Sequence, residues 1–236
     1  MTPPSLTFHE GSDADLKRDG VYEQILLDII CGELRPGAQI DEVTLADAYA
    51  AGRAGVRDAL YRLALEGLID RRPRLGSFVA APGFVELQQV FRLRIQLEGQ
   101  CATLAAQNAR PADIAALKNA YRDAERAIQD QDWRAIIRFD RAFHGALATA
   151  AQNRWLAHCI LTLHNSALRF WHYALPRRPA DAVRKEVDLH LKVADAVAAR
   201  DPLAAETAMR TVLGEFPSTV KELFAEDLPH AAGAGR

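Results

Sequence analysis

Apolar positions between residues 21 and 79 first recur at helical spacing and then alternate, which predicts three short helices followed by two strands. The first helix is VYEQILLDII, and the turn GELRPG separates it from a second helix in TLADAYA. The third helix is RAGVRDALYRLALEGLI, and its core-facing positions are Val56, Ala59, Leu60 and Leu63. The segment RRPRLGSFVA then predicts two strands joined by a basic turn.

The remainder of the chain is helical in pattern, with almost no alternating β-branched stretch. Candidate helix starts are Pro111, Asp132, Asn153 and the Asp201-Pro202 pair, because these residues cap or open helices. The predicted helices span residues 84–108, 112–129, 132–151, 154–175, 180–199 and 202–224. The predicted fold class is therefore mainly α, with an N-terminal winged helix-turn-helix followed by an all-α bundle of six helices.

Polar composition and the Ala81-Pro82-Gly83 sequence set the expected domain limits. The predicted segments are a flexible tail at 1–17, a winged helix-turn-helix at 18–81, a hinge at 82–84, an all-helical domain at 85–225 and a flexible tail at 226–236.

Composition narrows the classes of function. The net charge of the 236-residue chain is −2, so any contact with nucleic acid must come from a local basic patch. Three scattered cysteines in apolar runs predict reduced, buried thiols of a cytoplasmic protein. The N-terminal segment has no signal-peptide pattern, and no apolar run reaches the roughly 18 residues that a membrane helix needs. We therefore expect a cytoplasmic protein without a membrane span.

The third predicted helix carries the strongest indication of function. Arg53 and Arg57 are four residues apart and share one exposed face. Residues 53–74 contain arginines at 53, 57, 62, 71, 72 and 74, against acids at only 58, 66 and 70. The arginine fork suits guanine edges and phosphates, and a winged helix-turn-helix inserts one helix into the major groove. Although an isolated arginine pair would indicate only a solvated face, the order of elements favours binding to double-stranded DNA.

Three polar residues interrupt apolar faces in the helical half. Asp140 and His144 are four residues apart among apolar neighbours, and His190 lies on an otherwise apolar stripe. Buried groups of this kind must be paired, hydrogen-bonded or metal-bound. An Asp/His/His set suits Zn, Ni, Mn or Fe. The alternative is that Asp140 bonds His144 and that His190 bonds a backbone carbonyl.

The stretch from Gly32 to Val79 resembles the DNA-binding domain of GntR-family bacterial transcription regulators, through the PG turn, the LA helix, the R-x-x-V-R-x-A-L helix, the EGL turn and the R-x-G-x-F-V wing. The resemblance implies that operator DNA is contacted by Arg35, Arg53, Arg57 and Gly76. The sequence also departs from the family pattern before the third helix. Gly52 and Ala54 lack the usual hydroxyl groups, and Gly55 replaces a proline. A weaker hold on the DNA backbone is expected.

The stretch from about Val85 to Phe224 resembles the FCD effector domain of FadR-like members of that family, through F-R-L-R-x-x-L-E, D-W-x-x-x-x-x-F-D-x-x-F-H and a late histidine before A-R-D-P-L-A-A. The resemblance implies a divalent metal (Zn, Ni or Mn) held by one Asp and three His residues, beside an acidic small molecule. The matching ligands are Asp140, His144 and His190, whereas Val212 replaces the fourth. Glu215, His164 and His172 are considered as replacements, and none is chosen. Without a fourth ligand the site is either a three-ligand metal site or a hydrogen-bonded polar pocket.

The resemblance further implies that Arg94 pairs with the carboxylate of the effector; the alternative is an Arg94–Glu98 pair within one helix. We expect a homodimeric regulator that binds a palindromic operator and responds to a small organic acid. Two other hypotheses remain, a metal-dependent hydrolytic enzyme using Asp140, His144 and His190, and a DNA-binding protein with a degenerate pocket.

Overall fold

A computed structural model describes residues 13–81 and 83–214. The chain divides into two compact units, residues 1–81 and residues 82–236. Of the expected elements, the tail at 226–236, Glu215 and the end of the last helix lie outside the described residues.

The N-terminal unit has three helices, α1 (Asp13–Ile30), α2 (Glu42–Ala48) and α3 (Arg53–Leu65). Residues 13–17, predicted as part of a flexible tail, belong to α1, since no proline interrupts the helix before Val21. Helix α2 begins two residues before the predicted TLADAYA segment. Its start is fixed by Asp41, whose Oδ1 accepts a hydrogen bond of 2.8 Å from Val43 N.

The predicted pair of strands is part of a sheet of three antiparallel strands, β1 (Gln39–Ile40), β2 (Ile69–Arg72) and β3 (Gly76–Val79). Strand β3 lies in the middle, and Phe78 faces Gln39 on one side and Asp70 on the other. The predicted pair of strands is confirmed as β2 and β3. The additional strand β1 was not predicted, and it forms because the Pro36-Gly37 turn returns the chain beside β3. Gly37 N donates to Val79 O at 2.8 Å, and the positive φ of 78° at this turn favours glycine.

The core of this unit lies between α1 and α3. The four apolar positions predicted on α3 are all buried, as are Ile25 and Leu26 of α1: the α3 residues are Val56, Ala59, Leu60 and Leu63. This packing fixes the rotation of α3, so that its polar positions face solvent.

The second unit is all-helical, as predicted. Its helices are α4 (Phe84–Asn108), α5 (Pro111–Asn119), α6 (Ala124–Gln129), α7 (Trp133–Ala150), α8 (Arg154–Ala174), α9 (Ala180–Ala198) and α10 (Pro202–Gly214). The helix predicted at 112–129 is therefore two helices, separated by a turn at 120–123. The turn directs Tyr121 inward, where its hydroxyl bonds Asp140 at 2.9 Å.

Helix starts in this unit follow the predicted caps. The side chain of Asp132 accepts from Ala135 N at 2.9 Å, and that of Asn153 accepts from Leu156 N at 3.1 Å. Helix α4 packs against α7, α8, α9 and α10, which places its middle turns in the centre of the unit.

The three cysteines are free, and Cys31 and Cys101 are buried. The prediction of a buried thiol was wrong for Cys159, which is exposed because it lies on the solvent side of the first turns of α8. Within the described residues, no helix combines the length and hydropathy required to cross a bilayer.

Candidate DNA interface and metal centre

The exposed end of α3 carries two of the predicted DNA-contacting residues. Arg53 is the first residue of the helix and Arg57 lies one turn later, and both are exposed. The preceding Gly52 is the N-cap and makes no side-chain hydrogen bond, as expected from its missing hydroxyl. The first N–H groups of α3 are therefore not capped by this side chain.

Arg57 is held by an acid that the sequence analysis did not single out. Its Nε and Nη2 atoms both donate to Glu42 Oε2 at 3.2 Å. Glu42 occupies the first turn of α2, so this ion pair joins the two helices of the helix-turn-helix. The arginine side chain is 66% exposed, so the pair adds little stability but orients the guanidinium group.

The wing supplies the other basic groups. Arg71, Arg72 and Arg74 are exposed around the turn between β2 and β3, and the Arg72 guanidinium lies 4.3 Å from the ring centre of Phe78. Gly76 has φ of 102°, a conformation that strains other residues. Arg35 is exposed at the turn before β1.

A cluster of buried polar side chains lies at the centre of the helical unit. It contains the three predicted ligand candidates, together with three further residues that α4 and α8 contribute. The members are Arg94 and Glu98 from α4, Asp140 and His144 from α7, His164 from α8 and His190 from α9, and each is at most 5% exposed.

The hydrogen bonds of His190 define which of its nitrogens is free. Its Nδ1 lies 2.8 Å from the backbone oxygen of Glu186, which can only accept, so Nδ1 carries the ring proton. The unprotonated Nε2 lies 3.3 Å from His144 Nε2 and 3.4 Å from Asp140 Oδ1. Burial lowers the pKa of His190 to about 4, which keeps the ring neutral near pH 7.

Asp140 is held from two sides. The Tyr121 hydroxyl donates to Oδ1 at 2.9 Å, and His164 Nε2 lies 3.2 Å from Oδ2. Burial opposes ionisation of this carboxyl, but the contact with His164 and the electrostatic influence of the neighbouring imidazoles keep its pKa well below the usual range. Burial also lowers the pKa of His164 to about 3 and raises that of Tyr121.

Arg94 and Glu98 form the ion pair suggested by their spacing, but it is buried instead of exposed. Arg94 Nε donates to Glu98 Oε1 at 2.5 Å, and Arg94 Nη2 donates to His164 Nδ1 at 2.9 Å. Burial opposes ionisation of Glu98, but Arg94 and His144 outweigh it and hold the pKa of this carboxyl well below its usual range.

Some polar atoms of the cluster are close to a partner without an aligned hydrogen bond. His144 Nδ1 lies only 2.6 Å from Glu98 Oε2, yet neither atom makes a well-directed hydrogen bond. His164 Nε2 likewise lies close to Asp140 Oδ2 without a well-directed hydrogen bond. Buried polar atoms without an aligned partner are uncommon in folded proteins. Among the residues described, Glu98 Oε2, His144 Nδ1 and His164 Nε2 are the side-chain atoms of this kind.

Asp140, His144 and His190 fit a divalent metal ion. Their ligand atoms are separated by 3.3, 3.4 and 3.8 Å. Ligands about 2.0–2.1 Å from a tetrahedral metal are roughly 3.3–3.4 Å apart. The Nε2 of His190 is unprotonated, and the proton of His144 belongs on Nδ1, which faces the carboxylate of Glu98. Two imidazole lone pairs and a carboxylate thus converge, an arrangement that favours a cation between them.

A second group of potential ligands shares His144 and consists of Glu98, His144 and His164. This group is less suited to a cation, since the Arg94 guanidinium contacts both Glu98 and His164. Its positive charge would repel a metal ion at that position.

The structure thus brings the three predicted metal ligands together and places Val212 in the wall of the cavity beside them. The sequence analysis paired Glu98 only with Arg94 and considered His164 only as a replacement ligand, so it did not place Glu98 beside His144 or His164 beside Asp140. The position of Glu98 carried a partial signal, because this residue is four residues from Arg94 on one helix face. His164 gave no such signal, and the other two histidines of α8 stay apart from the cluster, His158 exposed and His172 half-buried.

Comparisons with known proteins support the family resemblance of both units. Residues 17–79 match the model for bacterial regulatory proteins of the gntR family, and residues 89–215 match the FCD domain. The HTH-type transcriptional regulator LutR of Bacillus subtilis is 28% identical over 84% of this chain and 98% of the relative. An HTH-type transcriptional regulator in an unstable DNA locus of Streptomyces ambofaciens is 31% identical over 89% of this chain and 90% of the relative. The E. coli McbR/YncC structure has a TM-score of 0.77 at 22% identity, over 88% of this chain and 98% of that chain.

An arginine-bearing helix with a wing, followed by a helical domain with a cluster of buried polar side chains beside a cavity, defines a DNA-binding transcription regulator with a metabolite-binding domain. The chain belongs to the GntR family of bacterial transcription regulators and carries an FCD domain.

Proposed function

We propose that this regulator is a homodimer whose affinity for operator DNA changes when a small carboxylate binds in the helical domain, next to a divalent metal ion. The observation that carries the proposal is the convergence of Asp140, His144 and His190 beside a cavity in the FCD domain. A hydrolytic enzyme is not favoured, because the relatives are regulators.

Asp140, His144 and His190 would hold the metal, which is Zn, Ni or Mn by the chemistry of this ligand set. With neutral imidazoles the charged members of the cluster are Arg94, Glu98 and Asp140, with a net charge of −1. A divalent ion held by these three residues would change this sum to +1 and would attract an anion. One carboxylate then balances the buried charge.

Arg94 supports the carboxylate from the protein side. Its Nε and Nη2 atoms are used by Glu98 and His164, whereas Nη1 makes no hydrogen bond to any residue that the structure describes. Because Arg94 lines the same cavity as the three ligand candidates, Nη1 is the donor that we assign to the effector. The ion pair with Glu98 fixes the guanidinium in place before the effector binds.

The homodimer follows from the size of the DNA-reading surface. Helix α3 has 13 residues and presents Arg53 and Arg57 at its first two turns, which can reach only a few base pairs. Two copies on a palindromic operator double that number. Arg35 and Gly76 would contact the DNA backbone or the minor groove beside each half-site. An effector alters affinity only if it binds the free and the DNA-bound dimer differently.

The direct test measures binding of full-length protein to labelled DNA from upstream of its own gene, at fixed salt, with and without metal and a panel of organic acids. We expect a complex specific for that sequence, and a shift of its midpoint by at least one acid. Failure to distinguish the upstream DNA from a random duplex would contradict sequence-specific binding.

Replacing Arg57 with alanine is expected to weaken specific binding by about 1–3 kcal/mol, because a base contact is lost. Binding to random duplex should change less. Arg126→Ala is a matched control, since it removes the same charge from an exposed position in the helical domain. Glu42→Gln should reduce the preference for operator over random DNA, because the Arg57 guanidinium is no longer held by an ion pair. Binding to random DNA should not weaken, since a negative charge is removed. Equal losses on both duplexes for Arg57→Ala would instead identify a phosphate contact.

A further inference from the structure

We infer that the effector is a monocarboxylate with a short apolar body, and that the site discriminates against dicarboxylates of the same length. This inference rests on the proposed function and specifies the class of ligand. It follows from the composition of the cavity wall, from the positive groups available near it, and from its size.

Six of the eleven described residues that line the cavity are apolar. The polar lining residues are Arg94, Asp140, His144, Glu186 and His190, and the apolar ones are Phe91, Ala167, Leu168, Trp171, Val212 and Leu213. Beyond its carboxylate, a bound acid therefore meets alkyl and aromatic groups. A hydroxyl or second carboxylate placed there would lose water without gaining a hydrogen bond.

Val212 is one of the side chains that form this apolar part of the wall. It is 6% exposed and lines the same cavity as Asp140, His144 and His190. An alkyl group therefore stands where the family resemblance predicts a fourth imidazole ligand. The coordination position that this substitution leaves free is bordered by an apolar surface.

The positive charge near the cavity matches only one carboxylate. Arg94 is the only arginine or lysine among the described residues that line it, and two of its three nitrogens are already used. Arg178 lies nearby, but it is ion-paired with Glu186 and its guanidinium lies 4.7 Å from the ring centre of Trp171. A second carboxylate of the ligand would therefore lie near the negative charge of Glu186, with no unpaired arginine or lysine among the described lining residues to bind it.

The cavity is also small. Its free space is about 20 Å³, close to what one water molecule needs. A ligand must displace apolar side chains such as Phe91 or Trp171 to enter, and a body of a few carbon atoms requires the least displacement. The geometry thus favours short fatty or branched acids over sugar acids.

The test uses three probes with the same four-carbon chain: butyrate, succinate and 1-butanol. Each is titrated calorimetrically into the full-length protein loaded with one equivalent of Zn²⁺. We expect butyrate to bind at least about tenfold more tightly than succinate, because the second carboxylate would be buried unpaired. 1-Butanol, which lacks the anion, should give no measurable binding.

Val212→Thr tests the wall with almost no change of volume. We expect it to weaken butyrate binding about three- to tenfold and to narrow the preference over succinate, since it places a hydroxyl against the alkyl chain. Val212→Ile keeps the wall apolar and should preserve the preference. Thermal melting of both variants checks that they are folded.

Succinate binding as tightly as butyrate would overturn the inference and leave effector control intact. An unchanged preference in Val212→Thr would also overturn it, because Val212 would then not determine selectivity. If no acid in a wider panel binds, while the protein still binds Zn²⁺ and its operator, the proposed effector function itself fails.

Discussion

Arg94→Ala is expected to lower the free energy of unfolding of the ligand-free protein by about 3–5 kcal/mol, as found when one partner of a buried ion pair is removed. The substitution leaves Glu98 charged and fully buried, and it also removes the donor that faces His164 Nδ1. Urea unfolding followed by circular dichroism measures the change.

The neighbouring Arg92 provides a matched control, because it lies on the same helix with its side chain exposed. Arg92→Ala should change the free energy of unfolding by less than about 0.5 kcal/mol. The double variant Arg94→Met/Glu98→Leu should recover part of the lost stability, since it removes both buried charges together. A loss below about 1 kcal/mol for Arg94→Ala would show that water reaches Glu98.

The sequence was sufficient to predict the fold class of both units, because apolar spacing, turn residues and helix caps along the chain indicate most of the helices and strands. The apolar spacing of α3, the Pro36-Gly37 turn and the helix caps at Asp132 and Asn153 are determined by neighbouring residues, and all are confirmed. The additional strand was missed because pairing between distant segments decides that part of the structure. Strand β1 has two residues and exists only because β3 lies beside it.

In the candidate site, too, neighbouring residues determine some features and tertiary packing determines others. Asp140 and His144 lie on one helix, so their proximity follows from spacing alone. The place of His164 depends on the packing of α8 against α4 and α7, which no spacing along α8 indicates. Whether the Arg94–Glu98 pair is exposed or buried likewise depends on the helices that cover α4. Local pattern therefore singled out Asp140, His144 and His190 as polar residues on apolar faces, and the family resemblance made them ligand candidates, whereas tertiary packing determined the polar groups around them.

The second large effect concerns metal binding. His144→Ala and His190→Ala are each expected to reduce Zn²⁺ affinity by at least about 100-fold, because the described residues offer three protein ligands to this ion and two ligands hold zinc poorly. Tyr121→Phe should reduce it by about 10- to 100-fold, since the hydroxyl that orients Asp140 Oδ1 is lost. Elemental analysis and competition with a chromophoric chelator measure content and affinity.

His158→Ala is the matched control for these variants, because it removes an exposed imidazole from α8 and should leave Zn²⁺ affinity unchanged. Val212→His adds an imidazole to the cavity wall and should tighten Zn²⁺ binding, as a fourth ligand completes the tetrahedron. Zn²⁺ bound only by Val212→His, and not by the natural sequence, would contradict a three-ligand metal site. The cluster would then be a hydrogen-bonded polar pocket, and the carboxylate of an effector would depend on Arg94 alone.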